Sequence, residues 1–435
     1  MSIRVMLRRR VVRREALPAA STRCFGRIGP FAIIQAHMTA QARRGRMTIN
    51  SVPNRTQQMP DPAPHALFRS ANSQFSTQGV GAALPAGPLD TLGARVRDFF
   101  RTADGPQVLL GTLPFDRAQP DCLFQPQAIA DIVPQPPLAA VAQHGRWRVT
   151  AHPSQAEYGA MVDRALERIA SDAGLNKVVL ARTLVVETDA ALDPRSVAMR
   201  LGRDPSITTF VMPVSLDGPA RTLVGATPEL LLQKKGRAIR SSPLAGSAKR
   251  EADRSVDREA AEALAASDKN RREHAVVVEA IMDALAPCCA QLTAPDGPAL
   301  HATASMWHLG TPIEGRLRDD DISCADLLAR LHPTPAICGV PRERAQALIR
   351  ELEPFDRGFY AGAVGWTDAS GDGEWHIALR CGEIADRRIT LFAGAGIVAG
   401  SDPAAEIAET SAKFLALLHA LGIDEHGRPL DGVDS

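Results

Sequence analysis

The stretch Tyr360–Val398, "YAGAVGWTDASGDGEWHIALRCGEIADRRITLFAGAGIV", decides the fold class. Short runs rich in aliphatic and β-branched residues are separated by clusters of Gly, Asp, Ser and Arg. That is the pattern of strands joined by tight turns. "DASGDG" (368–373) and "ADRR" (385–388) supply the turns, and the whole reads as a three-stranded antiparallel meander. Further up the chain, "TLVGATPELLLQKKGRAIRSS" (222–242) reads as two or three strands with a break at Pro228. "GPQVLLGTLPF" (105–115) reads as a buried strand, and "NKVVLARTLVVET" (176–188) as a β-branched one. Strands come in antiparallel runs without strict βαβ alternation, so the expected class is α+β.

The helical segments carry their own punctuation. "PLDTLGARVRDFF" (88–100) reads as a helix after an Asp90 cap, and "SQAEYGAMVDRALERIASDAG" (154–174) as one capped by Ser154 and stopped by Gly174. "DREAAEALAASDKNRREHAVVVEAIMDALAP" (257–287) is the longest helical stretch, with a break expected near Ser267–Asn270. "DLLARLHPTPAICGVPRERAQALIRELEPF" (326–355) reads as helix, proline-rich loop, helix. The last helix starts at Asp402–Pro403, a cap followed by proline at the first position, and ends at Gly422.

Bulk properties exclude several classes. Of 435 residues, 45% are hydrophobic and 23% charged, which fits a globular protein with a substantial core. Net charge is +1 and aromatics are 4%, so there is neither a global field nor a stacking platform for nucleic acid. No apolar run is long enough for a membrane span. Seven scattered cysteines, an odd number without a C-x-x-C pair, argue against a disulfide framework or a zinc ribbon. The vicinal Cys288 and Cys289 are expected to pack rather than bridge.

The N-terminus differs from the rest. "MSIRVMLRRRVVRREAL" is arginine-rich, and Glu15 is the one acid before Met47. A transit peptide has this composition. Sequence lying upstream of a later initiator, Met38 or Met47, has it too. "VPNRTQQMPDPAPH" follows as a proline-rich linker. Residues 1–66 are therefore read as an extension, 67–425 as the folded domain and 426–435 as a polar tail. The expected location is the cytoplasm.

Several residues could carry chemistry. On "GSDPAAEIAETSAK" (400–413), Glu406, Glu409 and Lys413 fall within about 60° of one another on a helical wheel. Alone, this is the pattern of a solvated face with a favourable Glu409–Lys413 pair. It is also a carboxylate pair able to share a hard cation such as Mg²⁺. "FAGAGI" (392–397) ends a strand just before that helix, and its glycines permit close approach to a ligand. Lys177 opens an apolar strand, either as its exposed edge or as a desolvated base. Glu229, between a proline and three leucines, either faces solvent at a turn or has a raised pKa fit for a general acid. Glu273, His274 and His308 read singly as ordinary helix-surface or structural residues. "SSPLAGSAKR" (241–250) can offer backbone N–H groups to an anion, or be a plain loop.

The order of these segments is more specific than any one of them. "KVVLAR", "GATPELLL", "PLAGSAKR", "REH", "WHLGTPIEG", "LHPTPAICG", "ELEPFDRGFYAGAVGW", "ALRC" and "LFAGAGIVAGSDPAAEIAETSAK" together resemble the chorismate-binding enzymes, in particular their isochorismate synthases of siderophore pathways. The resemblance spans roughly Phe68 to Gly422. It implies a single large domain with two antiparallel sheets flanked by helices, as in anthranilate synthase component I. It implies a Mg²⁺-dependent reaction on chorismate, in which Lys177 activates water for attack at C2 and Glu229 protonates the departing C4 hydroxyl. It places Glu273, Glu406 and Glu409 around Mg²⁺, and Arg380 and Lys413 near substrate carboxylates. Gly246, Ser247, His308, Ala336, Ile337 and Gly394 are implied to line the pocket. Lysine at 177 implies water rather than ammonia as nucleophile, hence no glutamine amidotransferase partner. Alanine at 336, where salicylate-forming relatives carry threonine, implies release of isochorismate. Family precedent implies a monomer.

Overall fold

The structure, a computed structural model of the chain, describes residues 66–130 and 146–430. Nearly all of the expected N-terminal extension, and the last five residues, lie outside the described part. The strands of the first half are Leu67–Arg69 (β1), Gln74–Ala83 (β2), Val108–Leu113 (β3), Cys122–Ala130 (β4), Arg148–His152 (β5), Lys177–Glu187 (β6) and Thr208–Pro213 (β7). Then come Thr222–Thr227 (β8), Leu230–Lys235 (β9), Ala238–Ser242 (β10), Leu244–Lys249 (β11), Cys289–Thr293 (β12), Ala299–Ala302 (β13) and Met306–Gly310 (β14). Ile313–Leu317 (β15), Gly339–Val340 (β16), Ala363–Asp368 (β17), Gly373–Ile377 (β18), Cys381–Ala385 (β19) and Arg388–Val398 (β20) complete the set. The helices are Leu92–Thr102 (α1), Gln155–Ser171 (α2), Pro194–Leu201 (α3), Arg254–Ala266 (α4), Asp268–Leu285 (α5), Cys324–Leu331 (α6), Arg342–Leu352 (α7) and Pro403–Leu421 (α8).

Both sheets are antiparallel throughout, as expected, but very unequal: one has 17 strands and the other three. The large one is a continuous ribbon. It runs β5–β6–β20–β19–β8–β7–β1–β2–β4–β3–β17–β18–β9–β10–β15–β12, and β16 extends the free edge of β6 beyond β5. A twisted sheet of that width cannot stay open, and curls or splits into packed layers. Here the ribbon folds on itself, so that Val178, Leu180, Phe210 and Leu223 from one half share a core with Leu110, Phe124, Leu232 and Trp375 from the other. A second core lies on the outer side of the first half, where Leu184, Val186 and Leu391 meet Val197 of α3 and Phe414, Leu417 and Leu418 of α8.

The Tyr360–Val398 stretch departs from the expected meander. It forms four strands in two hairpins, β17–β18 and β19–β20, and β18 does not pair with β19. Instead β18 pairs with β9 and β19 with β8. The chain therefore crosses between layers twice, at Pro228–Glu229 and at Ala378–Arg380. The two crossings are stitched together: Ile377 N donates to Glu229 O (3.1 Å) and Ala226 N to Arg380 O (3.2 Å). Arg380 turns the corner at φ 47° and the neighbouring Ala361 sits at φ 56°. Left-handed conformations are uncommon for residues with a Cβ and cluster at functional sites.

Helix ends follow local chemistry. Ser154 and Glu157 form a capping box on α2, and Ser267 caps α5 where the long helical stretch breaks. Asp402 accepts from Ala405 N at the start of α8, Pro403 follows it, and Gly422 closes the helix at φ 77°. The first helix differs from expectation. Asp90 lies in a short 3₁₀ turn and pairs with Arg117, while α1 starts after Thr91 without a side-chain cap. The described cysteines, Cys288 and Cys289 included, are free and buried.

The "ELEPFDR" segment braces β6 from beneath. Arg357 makes a bidentate pair with Glu353 (2.5 and 2.8 Å) and donates to Val179 O (2.7 Å) and Ile337 O (2.9 Å), while Ala181 N donates to Glu353 (2.8 Å). Both side chains are almost fully buried. Removing one partner strands the other charge in the core, so Arg357→Met is expected to destabilise the protein by about 3–5 kcal/mol in urea titration. The double change Glu353→Leu/Arg357→Met is expected to recover a large part of that loss. A single variant of wild-type midpoint would refute the bracing role.

Candidate active site

The layer crossing places Glu229 and Arg380 at one end of the cavity that gathers the charged residues. All the site residues expected from sequence line it except Lys177 and Glu406, which lie directly behind it, each within ion-pair distance of a residue of its wall. A larger cleft between Leu123 and Phe392 contains none of them. Convergence of titratable groups, more than size, marks the smaller cavity as the candidate site.

Lys177 enters from the first residue of β6, and its neighbour strand β20 runs past it in register, Val398 opposite Lys177 and Gly396 opposite Val179. It is no exposed edge: only 1% of the residue is accessible. The glycines of "FAGAGI" make this possible. A Cβ on Gly396 would come within 2.2 Å of Glu273 Oε1 and 3.1 Å of Lys177 Cε, and one on Gly394 within 2.9 Å of Tyr360 Oη. Lys177 Nζ lies 2.9 Å from Glu273 Oε1. The approach is off the hydrogen-bond direction, so this buried amine has a nearby charge but no hydrogen-bond partner among the described residues.

Three glutamates face the cavity or its rear wall from α5 and α8, and each is matched by a lysine. Glu273 pairs with Lys177, Glu406 with Lys269 (2.8 Å) and Glu409 with Lys413 (2.5 Å). Glu406 is 1% accessible, which rules out the solvated-face reading of α8. Burial and then the neighbouring Glu409 carboxylate raise the Glu406 pKa. Burial also works on Glu409, but Lys413 and the Ser247 hydroxyl (2.8 Å) hold its carboxyl below the usual range. Lys413 further donates to Gly394 O (2.9 Å), on the part of β20 that extends past its pairing with β19.

Glu229 behaves differently. Burial pushes its carboxyl up to about 7, against the opposing pull of the Leu244 amide, Lys177, Arg380 and Lys413. Burial likewise lowers the pKa of Arg380, and drives His308 far below its ordinary range, so His308 is neutral. His274 points away into the protein and bonds Thr311 (2.7 Å). Gly246 and Ser247 come from β11, which pairs with β14 so that Ser247 faces His308. Ala336 and Ile337 come from the loop between α6 and β16.

The arrangement offers an acid near its pKa, a buried amine and cations suited to carboxylates. Among the described residues, no three acidic, histidine or cysteine side chains sit close enough to enclose a metal ion by themselves. The donor set nevertheless suits Mg²⁺ in kind. Its oxygens are hard, Glu406 and Glu409 repel one another, and Mg²⁺ retains several waters and needs only one or two carboxylates.

Sequence reading missed Lys269, Asn270, Tyr360 and Ala361, which also line the cavity. Lys269 stands four residues before Glu273 and so shares its helix face, a spacing that was available as a signal. Nothing local marked Tyr360, which stacks on Phe392 (4.9 Å between centroids).

Comparison with known proteins agrees with this site. The family model for chorismate-binding enzymes matches residues 127–422. A putative isochorismate synthase MenF of Mycobacterium tuberculosis is 45% identical over 73% of this chain and 87% of its own length. Isochorismate synthase DhbC of Bacillus subtilis is 39% identical over 77% of this chain and 87% of its own length. The crystal structure of a putative 2,3-dihydroxybenzoate-specific isochorismate synthase, DhbC of Bacillus anthracis, superposes with a TM-score of 0.77 at 35% identity, covering 84% of this chain and 97% of that one. With the family model spanning the candidate site from Lys177 to Lys413, the chain belongs to the chorismate-binding enzymes.

Proposed function

We propose that this protein is an isochorismate synthase, an isomerase that moves a hydroxyl from C4 of chorismate to C2 by adding one water and losing another. The observation that carries the reading is Glu229, a fully buried carboxyl poised near neutrality in a cavity walled by Arg380 and Lys413 and backed by Lys177. Displacing a hydroxyl by water needs a base at the nucleophile and an acid at the leaving group. Lys177, as the neutral amine, takes a proton from the attacking water as the new C2–O bond forms. Glu229 gives its proton to the C4 oxygen as that bond breaks. Proton return from Lys177 to Glu229 restores the starting state, so the reaction consumes no net acid or base.

Arg380 and Lys413 bind and orient substrate carboxylates, Gly394 and Gly396 leave room on β20 for Tyr360, Glu273 and Lys177, and Ser247 holds Glu409 in place. Glu273, Glu406 and Glu409 would hold Mg²⁺, directly or through water, with Glu409 the direct ligand. Bound there, the cation supplies the positive field that lets a dianion sit beside three carboxylates. The similarity to DhbC proteins and the "PLAGSAKR" and "ELEPFDR" segments favour a product destined for 2,3-dihydroxybenzoate and siderophore synthesis. The likeness to a MenF keeps a menaquinone-directed isochorismate as the second reading.

Incubation with chorismate and Mg²⁺, followed by chromatographic separation, tests the proposal. Isochorismate in equilibrium with chorismate is expected. Salicylate and pyruvate as sole products would move the chain to the salicylate-forming branch, and anthranilate formed with ammonium to the aminating branch.

A further inference from the structure

A second cavity abuts the candidate site and shares Pro228, His308 and Arg380 with it. These three form its inner end. Its outer walls come from the end of α3 and the following loop (Arg200, Arg203), the β13–β14 turn (Ser305) and the C-terminal half of α8 (His419). Arg203 and His419 are exposed, whereas Arg200 and Arg380 are half-buried.

The charges of this cavity are predominantly positive, three arginines against the single carboxylate of Asp204. Arg200, Arg203 and Arg380 have no carboxylate within ion-pair distance among the described residues. Arg200 Nε is buried and has no hydrogen-bond partner among them either. The one acid in the wall, Asp204, is committed elsewhere. It accepts from Ser206 N (2.9 Å) and Oγ (2.6 Å) and from Ala304 N (2.8 Å), clipping the β13–β14 turn to the α3–β7 loop. A buried guanidinium nitrogen normally carries a partner, and Arg200 Nε has none among the described residues. With Arg203 at the exposed end and Arg380 shared with the candidate site, these unpaired cations line a cavity chemically suited to an organic anion.

We propose that this cavity is the access vestibule for the dicarboxylate substrate, in which Arg200 and Arg203 are steering residues that draw an organic dianion inward to Arg380. The proposal rests on the isochorismate synthase reading. A cleft of one charge sign with low-dielectric walls focuses the field and raises local substrate concentration and capture by about 10–10³-fold. The effect is screened as the Debye length shortens, from about 30 Å at 0.01 M salt to about 3 Å at 1 M. Steering acts before chemistry, so it belongs in kcat/KM and not in kcat.

The test measures kcat and kcat/KM for chorismate across that salt range in the wild type, Arg200→Gln, Arg203→Gln and the double variant. At low salt the double variant is expected to lose about tenfold in kcat/KM with kcat within about twofold, and its salt dependence to flatten. Arg→Lys at both positions should restore most of the loss, because a point charge suffices for steering. If Arg200→Gln fails to fold, the exposed Arg203 carries the test alone, with Arg203→Glu expected to fall below Arg203→Gln. Folded variants with unchanged kcat/KM and salt slope would overturn the vestibule. A loss confined to kcat would do the same. A wild type that leaves chorismate unchanged would overturn the functional reading instead.

Discussion

Replacing Glu229 by glutamine is expected to lower kcat by about 10²–10⁴-fold, the usual contribution of a positioned acid. The amide keeps the size and polarity of the side chain but has no proton to give at an accessible pKa. Glu229 suits the role because burial dominates its surroundings, and its pKa of about 7 leaves it partly protonated at neutrality. The sign follows directly. The competent form is the protonated one, so wild-type kcat/KM is expected to fall about tenfold per pH unit above about pH 7. Glu229→Gln should lack that alkaline limb. Lys177→Ala is expected to lose activity on the same scale, since among the described residues Lys177 supplies the one amine within ion-pair distance of Glu273 behind the glycine-lined part of β20. Turnover unchanged in either variant, with pure isochorismate still formed, would show that acid and base are assigned to the wrong residues.

Chelation is expected to abolish turnover and added Mg²⁺ to restore it, whereas Glu409→Ala should stay inactive at Mg²⁺ concentrations that saturate the wild type. The reason is the balance of charge around the substrate. Glu273, Glu406 and Glu409 are each neutralised by one lysine. Chorismate adds two negative charges, and proton abstraction requires Lys177 as the neutral amine, which leaves Glu273 without its counter-ion. A divalent cation together with Arg380, unpaired among the described residues, restores the balance, and of the three glutamates Glu409 combines a lowered pKa with a place in the cavity wall. Binding to the folded state alone also stabilises it, by about 2.7 kcal/mol at a hundredfold excess over Kd. A Mg²⁺-dependent rise in Tm, lost in Glu409→Ala, reports the site without any substrate. Full activity in chelator would refute the carboxylate assignment.

Much of the architecture was legible because it depends on near neighbours. Ser154, Asp402, Pro403 and Gly422 mark helix ends through bonds within a few residues, and the break at Ser267 appears where the sequence places it. The Asp90 cap failed for the same local reason turned around. A longer-range partner, Arg117, takes its carboxylate. The meander failed because hairpin turns report only the pairing next to them. Strands β18 and β19 follow one another in sequence, yet β9 and β8 compete for their edges and win.

The sequence by itself determined the α+β class, the positions of the helices and the residues able to do acid–base and anion-binding chemistry, since composition, period and capping act over a few residues. It left the roles of those residues open, because a carboxylate at a helix start looks the same whether it faces water or a cavity. Tertiary structure decided that. Folding the 17-stranded ribbon on itself buried Glu406 and Lys177, desolvated Glu229 into a weak acid, and brought Arg380 from a strand corner to the floor of two adjoining cavities. Burial and charge proximity are properties of residues far apart along the chain, and they arise only when the layers close.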